Sequence, residues 1–125
     1  MARKKSPHLT DAELRLMEVL WEKGSATVSD VVQALEGTPL AYSTVLTMLR
    51  ILENKGYLRH KKDGRAFVYL RVVAREKARD NAITHLLRRF FDDSPELLVL
   101  NMIERKKIDA DQLNRLRKRI EEKKP

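Results

Sequence analysis

Up to Gly56 the apolar residues of this chain recur at helical spacing, and from Tyr57 to Leu70 they alternate around Asp63-Gly64. No single regular element accommodates both periods, because a side chain returns to the same face about every 3.6 residues on a helix and every second residue on a strand. The chain therefore reads as helices followed by a hairpin. Its strands are Tyr57-Leu58-Arg59-His60-Lys61 and Ala66-Phe67-Val68-Tyr69-Leu70, joined through Lys62-Asp63-Gly64-Arg65, with Asp63-Gly64 as the turn signal. Tyr57, Phe67 and Tyr69 are read as packing residues in preference to stacking platforms for single-stranded nucleic acid.

Three helices precede the hairpin. The first starts at Thr10, an N-cap completed by Glu13 three residues on, with Leu9 and Leu14 as a hydrophobic staple. Leu14, Met17, Leu20 and Trp21 form its apolar face, Trp21 as a core anchor, and Gly24 ends it. The second is capped by Thr27, places Val28, Val31, Val32 and Leu35 on one face, and stops at Gly37 and Pro39. The third runs from about Ala41 to Lys55 along Val45, Met48, Leu49 and Leu52, with Gly56 beyond its end. Ala41 is a poor cap, and a later start on Ser43 stays open.

The opposite face of the third helix carries Ser43, Thr44, Leu46, Thr47 and Arg50. A solvated face is usually built from Glu and Lys, whereas these are side chains of groove size. Hydroxyls bond base edges or phosphates, Leu46 suits a thymine methyl, and the Arg50 fork suits guanine or a phosphate. The hairpin adds Arg59, Lys61, Lys62 and Arg65, cations long enough to reach phosphates. A wing beside a recognition helix accommodates both sets. The net charge of +8 is a weaker clue: 12 basic and 8 acidic residues up to Val73 and 14 and 10 after it leave +4 in each half.

After Val73 the sequence predicts three more helices: Ala74 to about Phe91, Pro95 to about Lys107 behind Ser94, and Ala110 to about Lys123 behind Asp109 and Gln112. Ile83, Leu86, Leu87, Phe90 and Phe91 make the first apolar on one side. Leu97, Leu98, Leu100, Met102 and Ile103 make the second apolar nearly all round, and Leu113, Leu116 and Ile120 continue the pattern in the third. So short a segment does not bury that much surface alone. A second copy of the chain is the preferred source of the missing core, an intramolecular core the alternative. The expected fold is mainly α with a small β-hairpin: a winged helix-turn-helix DNA-binding domain over 1–73 and a helical dimerisation domain over 74–125.

The absence of cysteine removes disulfides and thiolate chemistry and fits a reducing cytoplasm. Met-Ala-Arg-Lys-Lys-Ser-Pro at the start has no apolar signal core, and no apolar run is long enough to span a bilayer, so no direct membrane insertion is expected. His8, His60 and His85 are far apart in sequence and indicate no metal site. No cofactor is expected, and Asp92-Asp93 is too isolated a carboxylate pair for a metal-dependent nuclease. A winged module that binds protein instead of DNA remains the competing reading.

Thr10-Asp11-Ala12-Glu13-Leu14, Leu20-Trp21-Glu22-Lys23-Gly24, Ser43-Thr44-Val45-Leu46-Thr47-Met48-Leu49, Leu52-Glu53-Asn54-Lys55-Gly56-Tyr57-Leu58 and Asp63-Gly64-Arg65-Ala66-Phe67-Val68-Tyr69, in this order and spacing, resemble the penicillinase-repressor family, which includes the methicillin-resistance repressor. The resemblance implies a bacterial homodimeric transcriptional repressor, with no enzymatic activity, whose recognition helix enters the major groove of double-stranded operator DNA with dyad symmetry. It puts Ser43, Thr44, Thr47 and Arg50 on that helix and Arg65 in the wing. The family often has a second basic residue where this chain has Ile51. Leu98-Val99-Leu100-Asn101-Met102-Ile103-Glu104 resembles the segment cut by a membrane-bound sensor metalloprotease, the matching bond being Asn101-Met102. Asn101 reads equally well as an ordinary polar helix position.

Overall fold

The computed structural model describes residues 8–35 and 37–123. The opening stretch Met1 to Pro7 lies outside the described residues. In chain order come α1 (Asp11–Lys23), β1 (Ser25–Thr27), α2 (Val28–Ala34), α3 (Tyr42–Asn54), β2 (Leu58–Asp63), β3 (Ala66–Arg71), α4 (Arg75–Phe90), α5 (Pro95–Glu104) and α6 (Ala110–Glu122). The chain forms two compact units, Met1–His85 and Leu86–Pro125, with α4 contributing to both.

The first unit begins on the expected capping box. Thr10 Oγ1 accepts from the Glu13 N–H at 3.1 Å while the Thr10 N–H donates to Glu13 Oε1 at 2.8 Å. Thr27 and Asp30 repeat the arrangement at α2. The start of α3 falls on Ala41, which offers no side-chain cap, and Ser43 lies inside the helix. Lys55 and Gly56, the latter with φ of 88°, end α3 and turn the chain into the sheet.

The alternating segment predicts two strands, but the sheet has three. Residues Ser25–Thr27 pair antiparallel with β3, Ala26 opposite Tyr69, giving the order β1-β3-β2. The hairpin turn also sits one residue later than Asp63-Gly64 predicts. Asp63 pairs with Ala66, so Gly64 and Arg65 are the turn residues. Gly64 has φ of 62° and Arg65 is not left-handed. This is the pattern of a II′ turn, in which glycine occupies the first central position.

Leu16, Met17, Leu20, Val31, Val45, Leu49, Leu52 and Tyr57 are the fully buried centre of the core, closed by Leu58 and Tyr69 from the sheet. Leu14, assigned by its spacing to the apolar face of α1, is 41% exposed, and Leu16 fills the inward position beside Met17 and Leu20. Trp21 is half-buried: its Nε1 donates to the Val73 carbonyl at 2.8 Å and the Arg75 guanidinium lies 5.2 Å from the ring centroid. Ala78 of α4 joins this core. The His8 and His85 rings, which sequence separation sets apart, stack at 4.2 Å.

In the second unit, Ser94 caps α5 with Pro95 in the first turn, and Asp109 and Gln112 form a capping box on α6. The passage from α4 to α5 runs through Asp92 and Asp93, both in the left-handed region (φ 49° and 59°), and the Asp93 N–H donates to the Leu87 carbonyl at 2.9 Å. This acidic pair terminates a helix. No residue of α5 or α6 is buried, and among the described residues α4, α5 and α6 form no extended packing with one another.

Candidate nucleic-acid interface

Core packing decides which face of α3 is presented. Val45, Leu49 and Leu52 are completely buried, which turns Ser43, Thr44, Thr47, Arg50 and Ile51 to solvent, with Leu46 half-buried at the margin. Ser43 and Thr47, one turn apart, form one strip of this arc, and Thr47 Oγ1 donates to the Ser43 carbonyl at 3.0 Å. That bond uses the only hydroxyl hydrogen of Thr47, so toward a ligand the side chain offers lone pairs and a methyl group.

Leu46 and Arg50 lie nearer the wing. Together with Tyr42, Arg65, Ala66 and Phe67, and with Thr27, Val28 and Ser29 at the start of α2, they line a concavity of about 320 Å³. The fold thus unites two residues predicted from the helix with one predicted from the wing. Tyr42, 55% exposed at the first position of α3, and Phe67, 42% exposed, are additions. The signal for Tyr42 was its spacing, since 42, 46 and 50 succeed each other by one turn.

The wing cations divide between two faces. In the register of β2 and β3, His60 lies opposite Tyr69 and Lys62 opposite Phe67 on the face that carries the core residues, whereas Arg59 lies opposite Leu70 and Lys61 opposite Val68 on the reverse face. Lys62 therefore lies on the side of α3, where Arg65 of the turn lines the concavity, and Arg59 and Lys61 point the other way. The sequence reading took all four together as cations reaching phosphates, although strict alternation along the strand requires the split.

A side-chain contact ties α3 to the wing. His60 Nδ1 approaches both carboxylate oxygens of Glu53, at 2.7 and 2.8 Å, and packs edge-on against Phe67. Tyr69 of β3 is buried in the core. Burial pushes this phenol above its ordinary value and the nearby Glu53 carboxylate adds to the rise, with Arg50 opposing it. The hydroxyl is consequently neutral at physiological pH. Behind α3, Lys55 Nζ bonds Glu13 Oε1 at 2.7 Å and the His8 carbonyl at 3.3 Å, joining the end of α3 to the start of α1.

The residues expected at a dimer contact differ in accessibility. Along α4, Ile83 (52%), Leu86 (38%) and Phe90 (67%) are exposed, Phe91 beyond the helix is half-buried, and Leu87 is buried within its own chain. On α5, Leu100 and Ile103 are exposed beside Val99, which sequence reasoning did not single out, while Leu97, Leu98, Asn101 and Met102 are half-buried. Leu116 and Ile120 are exposed on α6 and Leu113 is half-buried. Asn101 Nδ2 donates to the Leu97 carbonyl one turn back, so the Asn101-Met102 bond lies inside regular helix.

Among the described residues no three His, Asp or Glu side chains are grouped as metal ligands, and no helix is long and apolar enough to cross a membrane.

The chain matches the family model described as "Penicillinase repressor" over residues 9–122. It is 34% identical over 122 residues to the penicillinase repressor of Bacillus licheniformis, covering 97% of this chain and 95% of that protein. With the methicillin resistance regulatory protein MecI of Staphylococcus aureus it shares 22% identity, over 95% of this chain and 98% of that one. Among solved structures, the DNA-binding domain of the repressor BlaI superposes with a TM-score of 0.52 at 38% identity, covering 60% of this chain and 93% of the domain. With the family model spanning nearly its whole length, the chain belongs to the penicillinase repressor family.

Proposed function

We propose that the chain is a homodimeric transcriptional repressor that binds a dyad-symmetric operator in duplex DNA. The observation that carries this reading is the solvent arc of α3, where small hydroxyl side chains and Arg50 stand beside a wing that presents Lys62 on the same side and Arg65 at the concavity. Ser43, Thr44, Leu46, Thr47 and Arg50 face the major groove, Lys62 and Arg65 follow the adjoining phosphates, and Arg59 and Lys61 on the reverse of the wing contribute long-range attraction. Because the Thr47 hydrogen is committed to Ser43, Thr47 accepts from the amino group of adenine or cytosine or packs on a thymine methyl. Residues 1–73 supply this surface and 74–125 the pairing of copies. The names of the relatives, a penicillinase repressor and a methicillin resistance regulator, support the same reading.

Selection of bound sequences from random duplexes by the full chain tests it, and a palindrome with half-sites spaced by about 34 Å or a multiple is the expected result. Recovery of no motif would favour a protein-binding module. On the selected duplex, Arg50→Ala should weaken binding by about 1–3 kcal/mol and relax the preference at one base pair, while Lys62→Ala should weaken every duplex alike and reduce the salt dependence. Equal losses on selected and random DNA for Arg50→Ala would contradict its assignment to a base.

Release of the operator is assigned to cleavage of Asn101-Met102 by a membrane-bound sensor metalloprotease. Proteases bind extended chain, so α5 must first unwind at this bond. The loss of α5 and α6 as continuous elements then lowers the fraction of paired DNA-binding units. A fragment ending at Asn101, found by mass spectrometry when chain and sensor are produced together, is the expected product. A cut elsewhere would remove this assignment.

A further inference from the structure

Arg50 and Glu53 stand three residues apart on α3, a spacing at which an arginine and a glutamate of one helix ordinarily meet. Among the residues three and four positions from Glu53, namely Leu49, Arg50, Gly56 and Tyr57, Arg50 is the one cation. Yet among the described residues Arg50 enters no ion pair. Glu53 is turned to the wing instead, where its two oxygens lie 2.7 and 2.8 Å from His60 Nδ1. A carboxylate only accepts, so this ring nitrogen carries the hydrogen and shares it between both oxygens. The imidazole is itself held by Phe67, edge-on with ring centroids 5.1 Å apart, and by the buried Tyr69 at 5.6 Å.

This bridge has little to offer the fold. The side chains of His60 and Glu53 are 41% and 30% exposed, and exposed pairs of this kind add little stability. A carboxylate in the last turn of a helix also meets the negative end of its dipole. The place of that carboxylate matters more to its neighbour. A Glu53 free to swing back by one turn would engage the Arg50 fork, and a duplex would have to break the pair before using the arginine. We propose that His60 is a positioning residue for specificity: by occupying both oxygens of Glu53 it keeps the carboxylate off Arg50 and leaves the fork free along the concavity shared with Leu46 and Arg65. A strand of the wing thereby governs what α3 reads. This rests on the reading of Arg50 as a base-contacting residue.

The test uses the full chain and the duplex it selects from a random library, compared with the same duplex altered at the base pair that Arg50 specifies. The ratio of the two affinities is the readout, because a loss common to all DNA leaves it unmoved. His60→Phe keeps a ring against Phe67 and Tyr69 but offers Glu53 no nitrogen, and it should lower the ratio by about 2- to 5-fold, the weight of one exposed ion pair. Glu53→Ala alone should keep the wild-type ratio. Added to His60→Phe it should restore that ratio, since no carboxylate is left to take the fork. In an Arg50→Ala background, His60→Phe should produce no further change. A loss in Glu53→Ala equal to that in His60→Phe, or a double variant as poor as His60→Phe, would mean that the bridge itself counts, and would overturn the proposal. An unchanged ratio in His60→Phe, beside a lowered one in Arg50→Ala, overturns the positioning role alone. A silent Arg50→Ala overturns the base reading and the positioning role together. If His60→Phe lowers the melting temperature enough to obscure binding, His60→Leu takes its place with the same expected and overturning results.

Discussion

Replacing Phe90 and Ile120 together by glutamate is expected to convert a dimer into a monomer and to lower affinity for a palindromic operator by about 10²- to 10⁴-fold, the range gained by linking two binding modules. Phe90 is 67% and Ile120 65% exposed, so neither substitution removes packing within the chain itself. In a symmetric pair each new carboxylate would be carried into an apolar contact twice, once per copy, and would lose its hydration without gaining a partner. The vulnerability follows from the exposure of these helices: no residue of α5 or α6 is fully buried, and Ile83, Leu86 and Phe90 recur along α4 at intervals of three or four residues. Sedimentation velocity reads the association, and titration of palindrome and half-site reads its effect on DNA. A variant that remains dimeric would show that these helices do not form the contact. A monomeric variant with undiminished palindrome affinity would show that pairing does not assist DNA binding.

Features confined to a few residues were legible in the sequence, and those closed over distance were not. The boxes of Thr10 with Glu13, Thr27 with Asp30 and Asp109 with Gln112 are complete within one helical turn, so residue types alone reveal them. The outward arc of α3 was equally legible, because helical spacing with Val45, Leu49 and Leu52 inward leaves Ser43, Thr47 and Arg50 outward. The strand β1 was missed because three residues are too few to show a period, and pairing with β3 alone makes them a strand. The hairpin turn moved by one residue because the pairing of Asp63 with Ala66 overrode the local preference for Asp-Gly. Glu13 was read correctly as a cap, but its partner Lys55 lies 42 residues away, and no local pattern links them. The stacking of His8 on His85 escaped for the same reason. Local pattern thus revealed which face of α3 is turned to solvent, and the fold supplied the contacts that hold the helix.

Glu13→Ala is expected to destabilise the first unit by about 2–4 kcal/mol, more than loss of a helix cap alone. The side chain of Glu13 is 8% exposed and that of Lys55 15%, so removing the carboxylate leaves an ammonium with little water and only the His8 carbonyl at 3.3 Å. The Thr10 N–H loses its acceptor at the same time. Burial pushes the Glu13 carboxyl upward, but the hydrogen bond from Lys55, the backbone bond from Thr10 and the charge of Lys55 outweigh it and hold the group below its ordinary value of 4.5. A folded-state value below the unfolded one means that the ionised form favours folding. The contribution is complete above about pH 4.5 and disappears as pH falls through the lower folded value. Glu13→Gln keeps an acceptor for Thr10 but no charge for Lys55, so its deficit against the wild type should be large at pH 7 and shrink on acidification. Urea denaturation across pH 3–7 measures it, and a deficit independent of pH would mean that the ion pair contributes nothing. Lys55 closes α3, the helix with the solvent-facing arc proposed to meet DNA, so the pair fixes that helix against α1 at the end remote from Ser43. Glu13→Gln should accordingly weaken selected and random duplexes to the same small extent, since it loosens the seat of the helix without altering any side chain that faces a base.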